Sequence, residues 1–393
     1  MWLIPLFAGM LLVLAIIERI WHQKNINSIP IRVNINGVRG KSTVTRLVTG
    51  IVKEAGYRTV GKTTGTSARF IPWTTKIETP IIRDPEGPNI KEQKKVVAEV
   101  AKMKGEALIS ECMAVNPDYQ IVFQDVLLQA NVGVIVNVLE DHMDVLGPTL
   151  DDVAHSFVST IPKNGHLVVN DSPYVDFYKE EAAKRNTKVI VADISRISEE
   201  YMREFSYVIF PENAALGLAV AEAIGIDEET AREGMINAQP DPGALRVTPI
   251  EGHETQSSPF VNAFAANDAH STLAIWDRVQ QLGYDGDHPI VIMNCRADRV
   301  DRTEQFARDV LPKMAIGTLV LIGETTDPIS KAFRKGDIKA EHLVDLEGKS
   351  SQEMVEAIKG QINGDVMFGV GNIHGAAEAV LELLEKEQDV SIA

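Results

Sequence analysis

Two cysteines in 393 residues are too few for a disulfide framework, and nothing around Cys112 or Cys295 has the Cys/His spacing of a zinc site. They read as free thiols of a reducing compartment. Positive charge is also scarce. Against 55 Asp and Glu stand 39 Lys and Arg, a formal charge of −16, so nucleic acid, which binds through a basic face, is set aside as a partner. No tract is of low complexity and no segment repeats. The remaining composition is globular, 45% hydrophobic and 24% charged, in a chain too long for one compact core. Two domains of ~100–200 residues are expected.

Long apolar runs are absent but for one. Met1 to Ile17 carries no charge, and Glu18-Arg19 closes it with Lys24 beyond. That length lies at the lower limit for crossing the ~30 Å hydrocarbon layer. A signal peptide would need a basic leader and a small-residue cleavage site, and neither is there. The segment reads as a transmembrane anchor, residues 1–20, with a polar linker over 21–30. Basic residues follow it, which puts the body of the protein in the cytoplasm.

Beyond Pro30, short apolar runs alternate with amphipathic stretches. Strands are expected at Ile31–Ile35, Tyr57–Val60, Ala107–Ser110, Val132–Val138, His166–Val169, Lys188–Val191 and Tyr207–Phe210. Helices are expected at Ser42–Ala55, Ile90–Lys104, Pro117–Ala130, Thr149–Ile161, Asn213–Ile224 and Asp227–Asn237. The breaker cluster Gln239-Pro-Asp-Pro-Gly243 divides a domain over 31–242 from one over 243–393, where strands and helices alternate again. Such alternation implies α/β architecture, parallel sheets with helices on both faces.

The strongest local signal is Asn36-Gly37-Val38-Arg39-Gly40-Lys41-Ser42-Thr43, between the first strand and the first helix after it. Glycines let successive backbone N–H groups turn around phosphate oxygens, and the helix N-terminus adds partial positive charge. Lys41 can reach the β and γ phosphates, and Ser42 can ligate magnesium. Glu111 ends the strand of Leu-Ile-Ser-Glu, where parallel sheets present ligands. Past another buried strand come Asn137, Asp141, His142 and Asp144. Oxygen ligands and an imidazole near a phosphate loop suit magnesium held between protein and nucleotide. Taken singly, each also fits a cap or a satisfied structural residue.

These motifs in this order resemble the ATP-dependent Mur ligase superfamily, which includes folylpolyglutamate and cyanophycin synthetases. The similarity continues through Asn213-Ala-Ala-Leu-Gly, Pro242-Gly243-Ala-Leu-Arg246, Phe264-Ala-Ala-Asn267-Asp268, Cys295-Arg-Ala-Asp298-Arg299 and Gly369-Val-Gly371-Asn-Ile-His374, covering roughly residues 30 to 385. Ser-Glu-Cys-Met-Ala-Val-Asn-Pro, Asn-Cys-Arg-Ala-Asp-Arg-Val-Asp-Arg and the apolar N-terminus resemble the ligase subunit of poly-γ-glutamate synthases, of the PgsB/CapB type. The resemblance implies a Mur-ligase-like central ATPase domain and a smaller Rossmann-like C-terminal domain. It implies a ligase at the bacterial cell membrane that joins glutamates through γ-carboxyl groups, with small membrane subunits as partners and ATP and Mg2+ as cofactors. An acyl phosphate is the implied intermediate, and ADP and phosphate the products. It assigns the nucleotide to Gly37 through Thr43 with Asn213 and Arg246, catalysis to Lys41, Glu111 and His142, and metal to Ser42, Glu111 and His142. Arg296, Arg299 and Arg302, chemically suited to bidentate carboxylate contacts or to plain surface pairing, become substrate candidates with Asn267.

Two departures stand out. Where Mur ligases carry a carbamylated lysine, ungapped counting gives Phe157, and Lys163 falls beyond the helix. The substrate domain that precedes the phosphate loop in Mur enzymes has no counterpart here, which argues against a peptidoglycan precursor. The rival readings are a folylpolyglutamate- or cyanophycin-type ligase and, from another class, a phosphate-loop ATPase or scaffold without ligase activity.

Overall fold

Buried runs of β-branched residues, each followed by an amphipathic helix, build the molecule from parallel strands. In this computed structural model, which describes residues 3–64, 68–82, 89–241, 244–252, 256–266, 268–284 and 286–391, the chain divides into two units. The first holds Met1–Ser198 and Ile209–Pro242, the second Glu199–Val208 and Gly243–Ala393.

The strands of the first unit are β1 (Ile31–Asn36), β2 (Thr59–Lys62), β3 (Arg69–Ile71), β4 (Thr79–Pro80), β5 (Ala107–Glu111), β6 (Val132–Ile135), β7 (His166–Asn170) and β8 (Lys188–Ala192). They lie in the order β4-β3-β2-β5-β1-β6-β7-β8. Pairing is parallel except at β2–β3 and β3–β4, which are antiparallel. Ile35 of β1 sits opposite Glu111 of β5 and Val134 of β6, so the strand that feeds the phosphate loop is central. Its last four residues are buried, as a strand covered on both faces requires. Strands β2 to β5 lie on one side of β1, and the chain then crosses over to place β6 to β8 on the other. That reversal of strand order opens a crevice at the carboxyl ends.

Helix α1 (Leu3–Asn27) precedes β1, and α2 (Lys41–Glu54) follows it with Val44, Leu47, Val48 and Ile51 buried. Across α2 packs the helix Glu228–Ile236, so closely that a Cβ on Gly50 would lie 2.1 Å from the Gly234 carbonyl oxygen. Helices α3 (Glu92–Lys102) and α4 (Pro117–Val122) follow β4 and β5, and α4 widens into a π-helix over Phe123–Leu128.

The second unit has β9 (Val247–Glu251), β10 (Ser257–Asn262), β11 (Ile290–Cys295), β12 (Ile316–Gly323), β13 (Ala340–Asp345) and β14 (Met367–Gly371), in the order β13-β12-β11-β14-β10-β9. Only β9 pairs antiparallel among the described residues. Alternation along β11 divides the core: Val291 and Met293 join one cluster with Trp276 and Phe368, Ile290 and Ile292 the other with Val355 and Met367.

Several expectations need correction. Residues 21–30 are not a linker: α1 continues unbroken to Asn27, and Ile26 and Ile29 are fully buried in the core that α3 and the π-helix share. Tyr207–Phe210 forms no strand. Val208 donates one hydrogen bond to Leu245 O, and Tyr207 instead packs edge-on to Phe205. The helix expected to Ala130 changes to π winding at Phe123, and that expected to Ile161 ends as α-helix at Ser156 before a 3-10 turn. The strand expected to Val138 stops at Ile135, freeing Asn137 for the site. β3 and β4, of three and two residues, are too short to be read in advance, Pro249 breaks the pattern of β9, and β13 sets Leu343 beside Val344 without alternation.

Candidate active site

The loop between β1 and α2 turns on two glycines. Gly37 has φ +127° and Gly40 φ +82°, a left-handed conformation at the helix N-cap that side chains resist. Three polar side chains hold the loop. Asn36 Oδ1 accepts the Gly37 N–H at 2.9 Å, and Asn137 Oδ1 accepts from Val38 and Arg39 at 3.1 and 3.0 Å. Asn137 Nδ2 returns a bond to Arg39 O at 3.0 Å. Asn213, near the start of the helix Pro211–Ile224, is buried against Gly40, with Oδ1 3.1 Å from where a Cβ there would stand.

Lys41 folds back over its own loop, donating to Gly37 O at 2.8 Å and Val38 O at 3.0 Å. Burial lowers its pKa below the ordinary lysine value, while the Glu111 carboxylate opposes that shift. Beside it lies a compact oxygen cluster. Ser42 donates to Glu111 Oε2 at 2.9 Å, the Thr64 N–H donates to the same oxygen at 2.9 Å, and the Thr64 hydroxyl donates to Oε1 at 2.6 Å. Glu111 is 3% exposed and ends β5 one strand away from the loop. A buried carboxylate is costly unless hydrogen-bonded, and these three donors supply what it needs.

His142 is set apart. It caps the short helix Met143–Leu146 in a left-handed conformation, mostly exposed, with its ring nitrogen 3.9 Å from Asp141. Asp141 also accepts Arg39 at 3.2 Å, so the histidine run reaches the loop through that aspartate. Phe157 is buried in the core with Val153 and Leu167, and Lys163 pairs with Asp125 at 3.0 Å. Neither offers a metal ligand. Among the described residues no group of three or more His, Cys, Asp and Glu gathers for a metal.

In the second unit Arg246 is exposed just ahead of β9. Arg296 pairs bidentately with Asp298 at 2.9 and 2.8 Å, Arg299 is exposed, and Arg302 donates to Asn372 Oδ1. Asn372 follows β14, and Asn294 near the end of β11 donates to the carbonyls of Asn372 and His374. Asn294 Oδ1 and Asn372 Nδ2 are buried without a hydrogen-bond partner among the described residues. Asn267 lies outside the described residues. Both cysteines are buried, which pushes the Cys112 thiol up to about 11 and the Cys295 thiol up to about 12 and removes them as nucleophiles.

Reading the sequence missed Thr64 and the scaffold beneath the loop. Asn36 Nδ2 donates to Gln120 Oε1 and to Thr160 Oγ1, both at 2.8 Å, and Asn34 Nδ2 donates to Gln124 at 2.9 Å. The paired Thr63-Thr64 past the end of β2 was the one local hint.

The Mur ligase middle domain family model matches residues 35–216, and that of the poly-gamma-glutamate synthase CapB C-terminal domain matches 247–387. The chain is 60% identical over 386 residues to PGA synthase CapB of Bacillus subtilis (strain 168), covering 98% of each chain. It is 62% identical to capsule biosynthesis protein CapB of Bacillus anthracis, covering 97% of this chain and 82% of that one. A solved bifunctional folylpolyglutamate synthase/dihydrofolate synthase from Yersinia pestis, complexed with AMPPNP and a Mn ion, shares the fold at a TM-score of 0.60 and 13% identity. That match covers 92% of this chain and 91% of that one.

Proposed function

Because this chain belongs to the poly-γ-glutamate synthase CapB family of Mur-type ligases, we propose that its two α/β units polymerise glutamate through γ-carboxyl amide bonds. It is an ATP-dependent amide ligase. A glutamate γ-carboxylate attacks the γ-phosphorus of ATP and releases ADP; the amine of a second glutamate attacks the acyl phosphate, loses a proton and expels phosphate. The observation that carries this reading is the glycine loop with Lys41 at its end, beside the Ser42–Glu111–Thr64 cluster. The N-terminus of α2 favours the β and γ phosphates, the Asn36 and Asn137 side chains shape the loop before it, and Lys41 needs only to leave two carbonyls to meet the transferring group.

Magnesium fits the same cluster: the Ser42 hydroxyl and Glu111 carboxylate are hard oxygen donors, as that ion prefers. When bound it would neutralise charge on the β and γ phosphates. His142 is reserved for a supporting role through Asp141. In the second unit, Asn294 Oδ1 is a buried acceptor suited to an amine, while Asn372 Nδ2 and the Arg302 guanidinium are donors suited to a carboxylate. Those are the two ends of an α-amino acid. The apolar α1 fits a single anchor at the bacterial membrane with the catalytic units in the cytoplasm, where small membrane subunits join it.

The test is to supply ATP, magnesium and glutamate and to follow nucleotide and polymer. ADP and phosphate should form in step with amide bonds. Glutamate-dependent AMP as the stoichiometric product would overturn the reading, because a loop wrapped on β and γ phosphates exposes the γ position. Glutamate-independent phosphate release, with no polymer whatever the partners, would favour the plain ATPase. Glu111→Gln should need more magnesium for half-maximal rate, and an unshifted magnesium curve would remove Glu111 as ligand.

A further inference from the structure

Beyond α1, most exposed apolar side chains of the first unit stand singly or in pairs, but four fall together. On α4 and the π-helix, Tyr119 is 58%, Ile121 47%, Val122 37% and Val126 50% exposed, while Gln120, Phe123, Gln124 and Leu127 between them are buried. One side of this element is core and the other is apolar toward solvent. It carries two acids: Asp125, matched by Lys163 at 3.0 Å, and Asp118, exposed in the first turn of α4 at the end of the face away from α1's contact. Single exposed apolar residues are ordinary, but four sharing one short face mark a contact surface.

The neighbour of this face identifies its occupant. His22 Nε2 lies 3.1 Å from Leu127 O, and Gln23 and Gln129 exchange hydrogen bonds at 2.9 Å, so α1 is fastened to the far end of the π-helix. His22 is five residues past Ile17, the end of the uncharged run, a rise of about 8 Å. That is the depth of a headgroup layer rather than of open water. The boundary chemistry agrees. Trp21 is exposed with the Lys24 ammonium 5.7 Å above its ring, and Tyr119 carries a polar tip on an apolar ring.

We propose that the exposed face of α4 and the π-helix rests on the lipid surface, so that the first unit touches the bilayer through this face as well as through α1. The proposal rests on the reading of α1 as a membrane anchor. It also gives the π winding a use: the wider turn keeps Val126 on the apolar side while Phe123 and Leu127 stay in the core.

Site-directed spin labelling of the full chain tests it, since both native cysteines are buried and leave an introduced one to react. The variants V122C, V126C, L12C and I194C are reconstituted in vesicles of phosphatidylcholine and phosphatidylglycerol. Relaxation by dissolved oxygen is compared with relaxation by an aqueous nickel complex. Labels at 122, 126 and 12 should favour oxygen, and the label at 194 should favour nickel. If 122 and 126 favour nickel while 12 favours oxygen, the lipid contact is wrong and the anchor stands. If 12 favours nickel as well, the anchor reading fails and takes the proposal with it. Shielding of 122 and 126 from both reagents would mean that a second copy of the chain covers the face, which also overturns the proposal.

Discussion

At the residue scale the site turns on how polar groups are held out of water. Lys41 is the clearest case, because burial lowers its pKa below the ordinary value of 10.5. The unfolded chain therefore binds more protons between the lowered value and 10.5, and stability attributable to this group rises with pH across that window. Lys41→Met should cut ligation by ~10²–10³-fold or more, as loss of a group that meets transferring charge does. The same variant should be no less stable than the parent at pH 7. Its stability advantage should shrink as pH climbs toward 10.5, followed by denaturant titration at several pH values. Asn137→Ala should release two loop N–H groups and raise KM for ATP with little change in melting temperature; an unchanged KM would make that asparagine a bystander. The glycines, Lys41 and Ser42 were legible as one local motif, and Glu111 as a carboxylate at the end of an apolar strand. Thr64 and Gln120 were not, since a bond such as that between Asn36 and Gln120 joins side chains 84 positions apart.

At the element scale, periodicity identified most helices and buried strands but misjudged where they stop. Burial of Ile26 carries α1 past the polar residues that suggested a linker, and no local pattern announces the π winding after Val122. Close helix packing was equally silent: Gly50 and Gly234 look like weak points in their helices, yet they let two backbones touch. Gly234→Ala should gain ~1 kcal/mol of helix propensity and still lose ~1–3 kcal/mol overall, because the added Cβ meets Ile51 Cα at 2.6 Å. A denaturation midpoint at or above the parent's would contradict that packing account.

At the scale of the whole molecule, strand–helix alternation foretold two α/β units, and the chain passes between them three times rather than once. Strand order was not readable: β5 inserts between β1 and β2, a choice made by which apolar faces meet rather than by sequence neighbours. The short stretch Glu199–Val208 joining the second unit was hidden too, and rests on contacts such as Arg278 to Glu199 at 2.9 Å. The role of α1 invites a pair of truncations. Removing residues 1–17 should give a chain that leaves the membrane fraction and melts like the parent, because His22, Gln23 and Ile26 keep their contacts. Removing residues 1–27 should lower the melting temperature, since it strips Ile26 from the core and leaves Phe123 and Leu128 uncovered. Equal melting of the two truncated chains would mean that the second half of α1 contributes nothing to the fold.

The direction of β1 has a consequence for reach. Its first residue, Ile31, follows α1 after only Ser28, Ile29 and Pro30, and its last, Asn36, opens the nucleotide loop. Six residues of strand rising ~3.3 Å each put the foot of α1 and the nucleotide loop about 20 Å apart. The strand is thus a ruler between them. On the proposed reading, a product held at the loop must exceed that length before its free end can reach the foot of α1.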